Sequence, residues 1–251
     1  MQSVADINIE LLRLWQRYLS GSTPVYAPMQ YPEPSEDSLV FVGLNPSFST
    51  KGWKSILRRS EIKKFEPEEF FKWVGPEDFD VELAHKLEAI AQEHYPFFAS
   101  HRMLASALGM NWLHYDLFAY RETDQENVRT LFVSEQKELS LTEFGSAQFL
   151  LFEKLLSKSK PAAVIIVNAL ASQIYIARRS PKFNSTGGYY VDKLDDNVEF
   201  PVFLSGMLTG ARALDRFSRE RLFWHIAKTL GKDWRSDVQP GAPVDSPSAC
   251  P

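Results

Sequence analysis

Apolar positions recur along the chain on two periods, and the alternation between them lays out the elements. Between 7 and 19, Ile7, Leu11, Leu14, Trp15 and Tyr18 fall at helical spacing until Gly21 and Pro24 end the pattern, which predicts an amphipathic first helix. Residues 24–34, rich in proline and tyrosine, run extended, and 38–42 form the first continuous apolar run that reads as a buried strand. Residues 101–108 and 148–157 read as helices, the latter with Phe149, Phe152, Leu155 and Leu156 in register, and 112–120 as a second strand entering the polar loop 121–124. The clearest buried strand is 161–168, unbroken in small and β-branched residues as parallel strands covered on both faces tend to be, with a helix over 169–177 behind it. A further strand covers 198–205, and a last helix over 211–230 carries Leu222, Phe223, Ile226, Ala227 and Leu230 as its buried stripe.

Strands alternating with helices predict an α/β fold around a mostly parallel sheet. Residues 51–93 read as a helical insertion: a basic stretch, charged helical pieces bearing Phe65, Phe70, Phe71 and Trp73, then a helix over 81–94 with Leu83, Leu87 and Ile90 in register. No chemical motif is found in it. At 251 residues, 44% hydrophobic and 13% aromatic, the chain fits one large domain over 1–236 with that insertion. A tail of Pro, Gly, Ser and Asp over 237–251 reads as disordered.

Composition then narrows the chemistry. No apolar run approaches the roughly 20 residues of a membrane helix and the first ten residues lack a signal-peptide pattern, so a soluble, cytoplasmic protein is expected. The single cysteine, Cys250, excludes an internal disulfide and any site built on several cysteines. His85, His94, His101, His114 and His225 show no metal-ligand spacing, and neither a phosphate loop, a dinucleotide fingerprint nor a serine-hydrolase elbow occurs, so neither metal nor cofactor is expected. A net charge of −4 means that any nucleic acid would have to be held by a local basic face.

The first strand ends in Gly43-Leu44-Asn45-Pro46-Ser47, a tight turn at the carboxyl edge of the sheet, where open α/β folds place their ligand crevice. Gly43 lets a ligand approach the backbone, Pro46 fixes φ, and the Asn45 amide can orient a water or a base edge. Asn-Pro is also an ordinary strand-ending turn.

These five residues resemble the first motif of the mismatch-specific and thymine-specific branch of the uracil-DNA glycosylase superfamily. The resemblance spans the core segments from about 39 to 230 and implies a three-layer α/β/α sandwich. It gives Asn45 the part of positioning the water that attacks the sugar once a base has been flipped out of the duplex. His94-Tyr95-Pro96-Phe97 resembles the family's His-Tyr-Pro segment, so that Tyr95 or Phe97 would stack on the base; both are equally ordinary core aromatics at a helix entry. The strand around Asp116 resembles the one that often carries a base-reading Asn, but Asp116 offers different hydrogen bonding. Ser205-Gly206-Met207-Leu208-Thr209-Gly210-Ala211-Arg212 resembles the loop that enters the minor groove, with Leu208 or Arg212 as the wedge that fills the place of the flipped nucleotide. It departs from the usual His-Pro-Ser or Asn-Pro-Ser, and leaves Ser205 or Thr209 as poorer donors to the departing base.

Lys51, Lys54, Arg58, Arg59, Lys63 and Lys64 stand against Glu61 directly after the Asn45 turn, and Arg212, Arg216, Arg219 and Arg221 flank the other loop. Together they suggest phosphate contacts beside the crevice; each run singly is equally a solvated helix face. The resemblance thus implies a glycosylase acting on uracil, mismatched thymine or a damaged base in DNA. Two alternatives stay open: a protein that binds bases, nucleotides or nucleic acid on the same fold without the chemistry, and a crevice for a small metabolite. Asn168, ending the best strand, either lines the crevice or satisfies the following turn.

Overall fold

The computed structural model describes residues 3–21, 25–59, 62, 65–135, 137–194 and 197–234; the expected tail, Glu61, Lys63 and Lys64 lie outside the described residues. Helix α1 (Val4–Leu19) begins where Ser3 and Asp6 cap each other reciprocally, side chain to backbone. Strand β1 (Leu39–Gly43) is buried along its whole length. The insertion supplies α2 (Thr50–Arg59), α3 (Pro67–Phe71) and α4 (Val81–His94), the last capped by Asp80 on the amide of Leu83. A 3-10 turn at Pro96–Phe98 leads into α5 (Ala99–Leu108), which stops at Gly109 in the left-handed conformation, φ 62°.

Strand β2 (Trp112–Asp116) is shorter than the run of apolar residues suggests. After Asp116 the amides of Leu117 and Phe118 turn to the carbonyls of Gly43 and Leu44, so that residues 117–120 follow the β1 turn out of the sheet. The chain continues through α6 (Gln125–Phe132), the small antiparallel pair β3 (Val133–Glu135) and β4 (Ser140–Leu141), α7 (Glu143–Ser159), β5 (Ala163–Ile166) and α8 (Ala169–Arg179). An antiparallel excursion, β6 (Lys182–Asn184) and β7 (Tyr189–Lys193), precedes β8 (Glu199–Leu204) and α9 (Arg216–Thr229). This last helix begins five residues later than its apolar period suggests, because Asp215 accepts from the amides of Phe217 and Ser218 and so fixes the start there.

The six-stranded sheet runs in the order β2-β1-β5-β8-β7-β6; the first four strands are parallel, and β7 and β6 are added antiparallel at one edge. The protein is therefore α/β with a central, mostly parallel sheet. Alternation along each strand divides the core in two. Val40, Val42, Tyr115, Val164, Ile166 and Val202 pack with residues of α1, α6, α7 and α8, while Leu39, Phe41, Ala163, Ile165 and Phe203 pack with α5 and α9. On the first of these faces Arg179 binds Asp192 and Glu153, tying α8 to β7 and α7. A third apolar cluster joins α2, α3 and α4 to Leu12 and Ala27, so the insertion has its own core packed on the outer side of α1.

The order of connections positions the site. From β1 the chain passes through the insertion and α5 to β2 on one side, and from β2 it returns through α7 to β5 on the other. Connections that leave a strand in opposite directions open a crevice at its carboxyl end.

Candidate functional site

That crevice, about 330 Å³, opens at the carboxyl ends of β1, β2 and β5. Gly43, Leu44, Asn45, Pro46 and Ser47 form one side, and Tyr95 with Phe97 and Phe98 of the 3-10 turn another. His114 and Asp116 line it from β2, Val167 and Asn168 from the end of β5, Arg121, Glu122 and Thr123 from the loop after β2, and Met207 from the 205–215 loop.

The Asn45 turn is knitted to its neighbours rather than merely exposed at a strand end. The Asn45 amide nitrogen donates to the carbonyls of Tyr120 at 3.1 Å, Glu122 at 2.6 Å and Pro46 at 3.2 Å, and the Glu122 amide returns a bond to the Pro46 carbonyl. An amide offers two hydrogens and one acceptor oxygen, so these bonds set its orientation and leave Oδ1 as its acceptor, to which no described residue donates. Asn168 does both things that its sequence left open: Oδ1 accepts from the Ala171 amide at 3.1 Å, capping α8, and the residue lines the crevice.

Beneath the turn, Gly43 is paired with Asp116 across the parallel ladder. A Cβ on Gly43 would lie 2.0 Å from Asp116 Oδ1, so only a glycine lets the carboxylate occupy that place. The Asp116 side chain is 4% exposed and its Oδ2 lies 3.4 Å from Nε2 of His114, whose own side chain is 3% exposed. Below His114, His101 is enclosed by Phe41, Phe97, Phe98, Trp112 and His114, and neither ring nitrogen has a hydrogen-bond partner among the described residues. Burial first, then His114 and Arg102, holds its pKa well below the usual 6.5 and so keeps it neutral.

A lowered folded-state pKa on a base means that the unfolded chain binds the extra proton first. Its contribution to stability is whole above pH 6.5 and is lost as pH falls below it. The expected slope from this one site is up to about 1.4 kcal/mol per pH unit. Urea midpoints at pH 7.5 and 5.5 should separate more in the native protein than in a His101→Phe variant; equal separations would mean that His101 is not the group responsible.

The insertion, in which the sequence shows no motif, forms a wall of the crevice through Gly52, Trp53, Ile56, Glu88 and Ala91. Glu88 pairs with Arg121, which is 4% exposed, donates from Nε to the Ala27 carbonyl at 3.0 Å and lies over the Phe71 ring. One signal for this was readable: Glu88 lies on the helix face of Ala84, Leu87 and Ala91, a carboxylate on an apolar stripe.

Other expected site residues lie elsewhere. Lys51, Lys54 and Arg58 are exposed on α2, Lys54 paired with Glu66 at 2.8 Å, while Trp53, Ile56 and Leu57 on the opposite face are buried; the side chain of Arg59 is outside the described set. Ser205 donates to the Gly206 carbonyl and Thr209 to that of Phe97, and neither lines the crevice. Leu208 is corrected as a wedge: it is 2% exposed, packed in the core beside α5 and α9, and a wedge must stand at the surface. Arg212 is exposed on the same loop. Of the charged residues that line it, Glu88, Asp116 and Glu122 are acidic and Arg121 is basic, so the crevice itself is not basic. Among the described residues no cluster of His, Cys, Asp or Glu could hold a metal ion, and no helix is long and apolar enough to cross a membrane.

No protein-family model matches the sequence, and no curated protein matches it.

Proposed function

We propose that the protein is a cofactor-free N-glycosidic hydrolase of the uracil-DNA glycosylase type, on a three-layer α/β/α domain, that removes uracil, mismatched thymine or a damaged base flipped out of DNA. The observation that carries this reading is Asn45: its amide nitrogen is committed to the carbonyls of Tyr120 and Glu122, its acceptor oxygen takes no bond from a described residue, and the residue lines a crevice together with Tyr95, Phe97 and Phe98. Such an oxygen orients a water for attack, while the aromatic walls receive a flat base. In the reaction the bond from C1′ to the base nitrogen breaks and its electron pair leaves with the base. The water hydroxyl joins C1′, and the proton passes to the base or to solvent.

A specific observation favours a second reading, a base- or nucleotide-binding protein without base release. Ser205 and Thr209 are bonded to backbone carbonyls, and Met207 is the residue of their loop that lines the crevice, so no side-chain donor from that loop meets a departing base.

Abasic-site formation on single- and double-stranded oligonucleotides carrying uracil, thymine opposite guanine, hypoxanthine or other damaged bases tests both. Asn45→Ala should lower release by at least about 100-fold, the scale of a positioned water, with circular dichroism to verify folding. Binding that weakens with salt but gives no release in the native protein would favour the second reading.

A further inference from the structure

Asp116 is a buried carboxylate that meets a cavity, and within the fold it has little to bind. It is 3% exposed, yet it lines the crevice. Among the described residues no hydrogen bond reaches either carboxylate oxygen; the nearest titratable side chain is the imidazole of His114, with Nε2 3.4 Å from Oδ2. Its backbone carbonyl is held by the Tyr31 hydroxyl at 3.3 Å, and its place on the ladder is fixed by the pairing with Gly43, whose missing Cβ makes room for Oδ1. The carboxylate is therefore a preset feature of the crevice that Tyr95, Phe97 and Phe98 also line.

A carboxylate in its ionised form accepts hydrogen bonds and donates none, so one that meets a cavity is open to the donors of a ligand. The ligand edge that best fills it has two adjacent N–H donors, which bind both oxygens in parallel. A ring amide N–H beside an exocyclic amine, the edge of guanine-type bases and of isocytosine, has that form. Uracil and thymine have no edge with two adjacent N–H donors: N3–H lies between two carbonyl oxygens, and N1–H, free only in the unlinked base, lies beside one, so a two-point contact to Asp116 would bring oxygen against oxygen.

We infer that Asp116 makes the crevice selective for bases whose edge pairs a ring N–H with an adjacent amine, and sets it against uracil and thymine. This rests on the reading of the crevice as a base pocket, and narrows its targets to damaged bases with a donor edge.

Isocytosine and uracil are nearly equal in size, so calorimetric titration of the full-length protein with each isolates the edge. Isocytosine should bind roughly 10- to 100-fold more tightly, the range set by one well-made bidentate contact. Asp116→Asn, whose amide donates as well as accepts, should level or reverse that ratio. Uracil binding as tightly as isocytosine, binding of neither, or an unchanged ratio in Asp116→Asn would each overturn the inference. Should the variant not fold, the ratio in the native protein still decides. Abasic-site assays separate this from the reading beneath it. Isocytosine preference without release of any base keeps the inference and sinks the glycosylase, whereas uracil release at the same rate in Asp116→Asn keeps the glycosylase and sinks the inference.

Discussion

Replacing Arg121 by alanine is expected to destabilise the protein by about 3–5 kcal/mol, the usual cost of breaking a buried ion pair from one side. Its guanidinium joins segments distant in sequence: the extended stretch through Ala27, the insertion helix α4 through Glu88, and the loop that clamps Asn45. It also lies over Phe71 at 4.3 Å and Trp53 at 5.6 Å from the ring centroids, so truncation removes packing together with charge. What remains is the Glu88 carboxylate, 12% exposed on its side chain, without the cation that pairs with it. Arg121→Met combined with Glu88→Leu should recover most of the loss, since it removes both desolvated charges. Urea unfolding of the single and double variants measures this; a loss below about 1 kcal/mol for Arg121→Ala would place the pair in the range of solvent-screened surface bridges.

Arg121 also marks where the sequence stopped being legible. Elements with a strong period were read close to their true bounds: the helix over 81–94 matches α4, and the strand over 161–168 contains β5. Their apolar faces alone dictate burial, so local pattern and tertiary packing agree. Strands β6 and β7 were not read, because they are short and partly exposed, and the residues that turn them, Gly187 and Gly188, say little about what they join. The Asn45 turn was legible as a place for chemistry because a buried strand must end at a sheet edge, and Tyr95, Phe97 and Asp116 were named with it; all four line one crevice. Arg121 was read as part of a polar loop because its burial depends on a partner 33 residues away in a helix with no motif. Leu208 misled for the opposite reason: position in a motif says nothing about which way a loop residue faces, and here it faces the core.

Gly43→Ala is expected to cost about 1–3 kcal/mol, as overpacked core sites do, and to abolish ligand binding in the crevice. The new Cβ would meet Asp116 Oδ1 at 2.0 Å and Cγ at 3.2 Å, and a short aspartate side chain has no flexible far end with which to yield. Either the carboxylate leaves its place or the pairing of β1 with β2 opens at its last rung. A double-mutant cycle distinguishes a true clash from a general intolerance of alanine in β1. Once Asp116→Ala removes the carboxylate, the next neighbour of that Cβ is His114 Cε1 at 3.4 Å, an ordinary contact. The double variant should then be more stable than the sum of the single changes requires, by about 1 kcal/mol or more. Strict additivity in urea midpoints would mean that Asp116 does not hold its carboxylate over Gly43 in solution, and with it would go the preset acceptor on which selection of a donor edge depends.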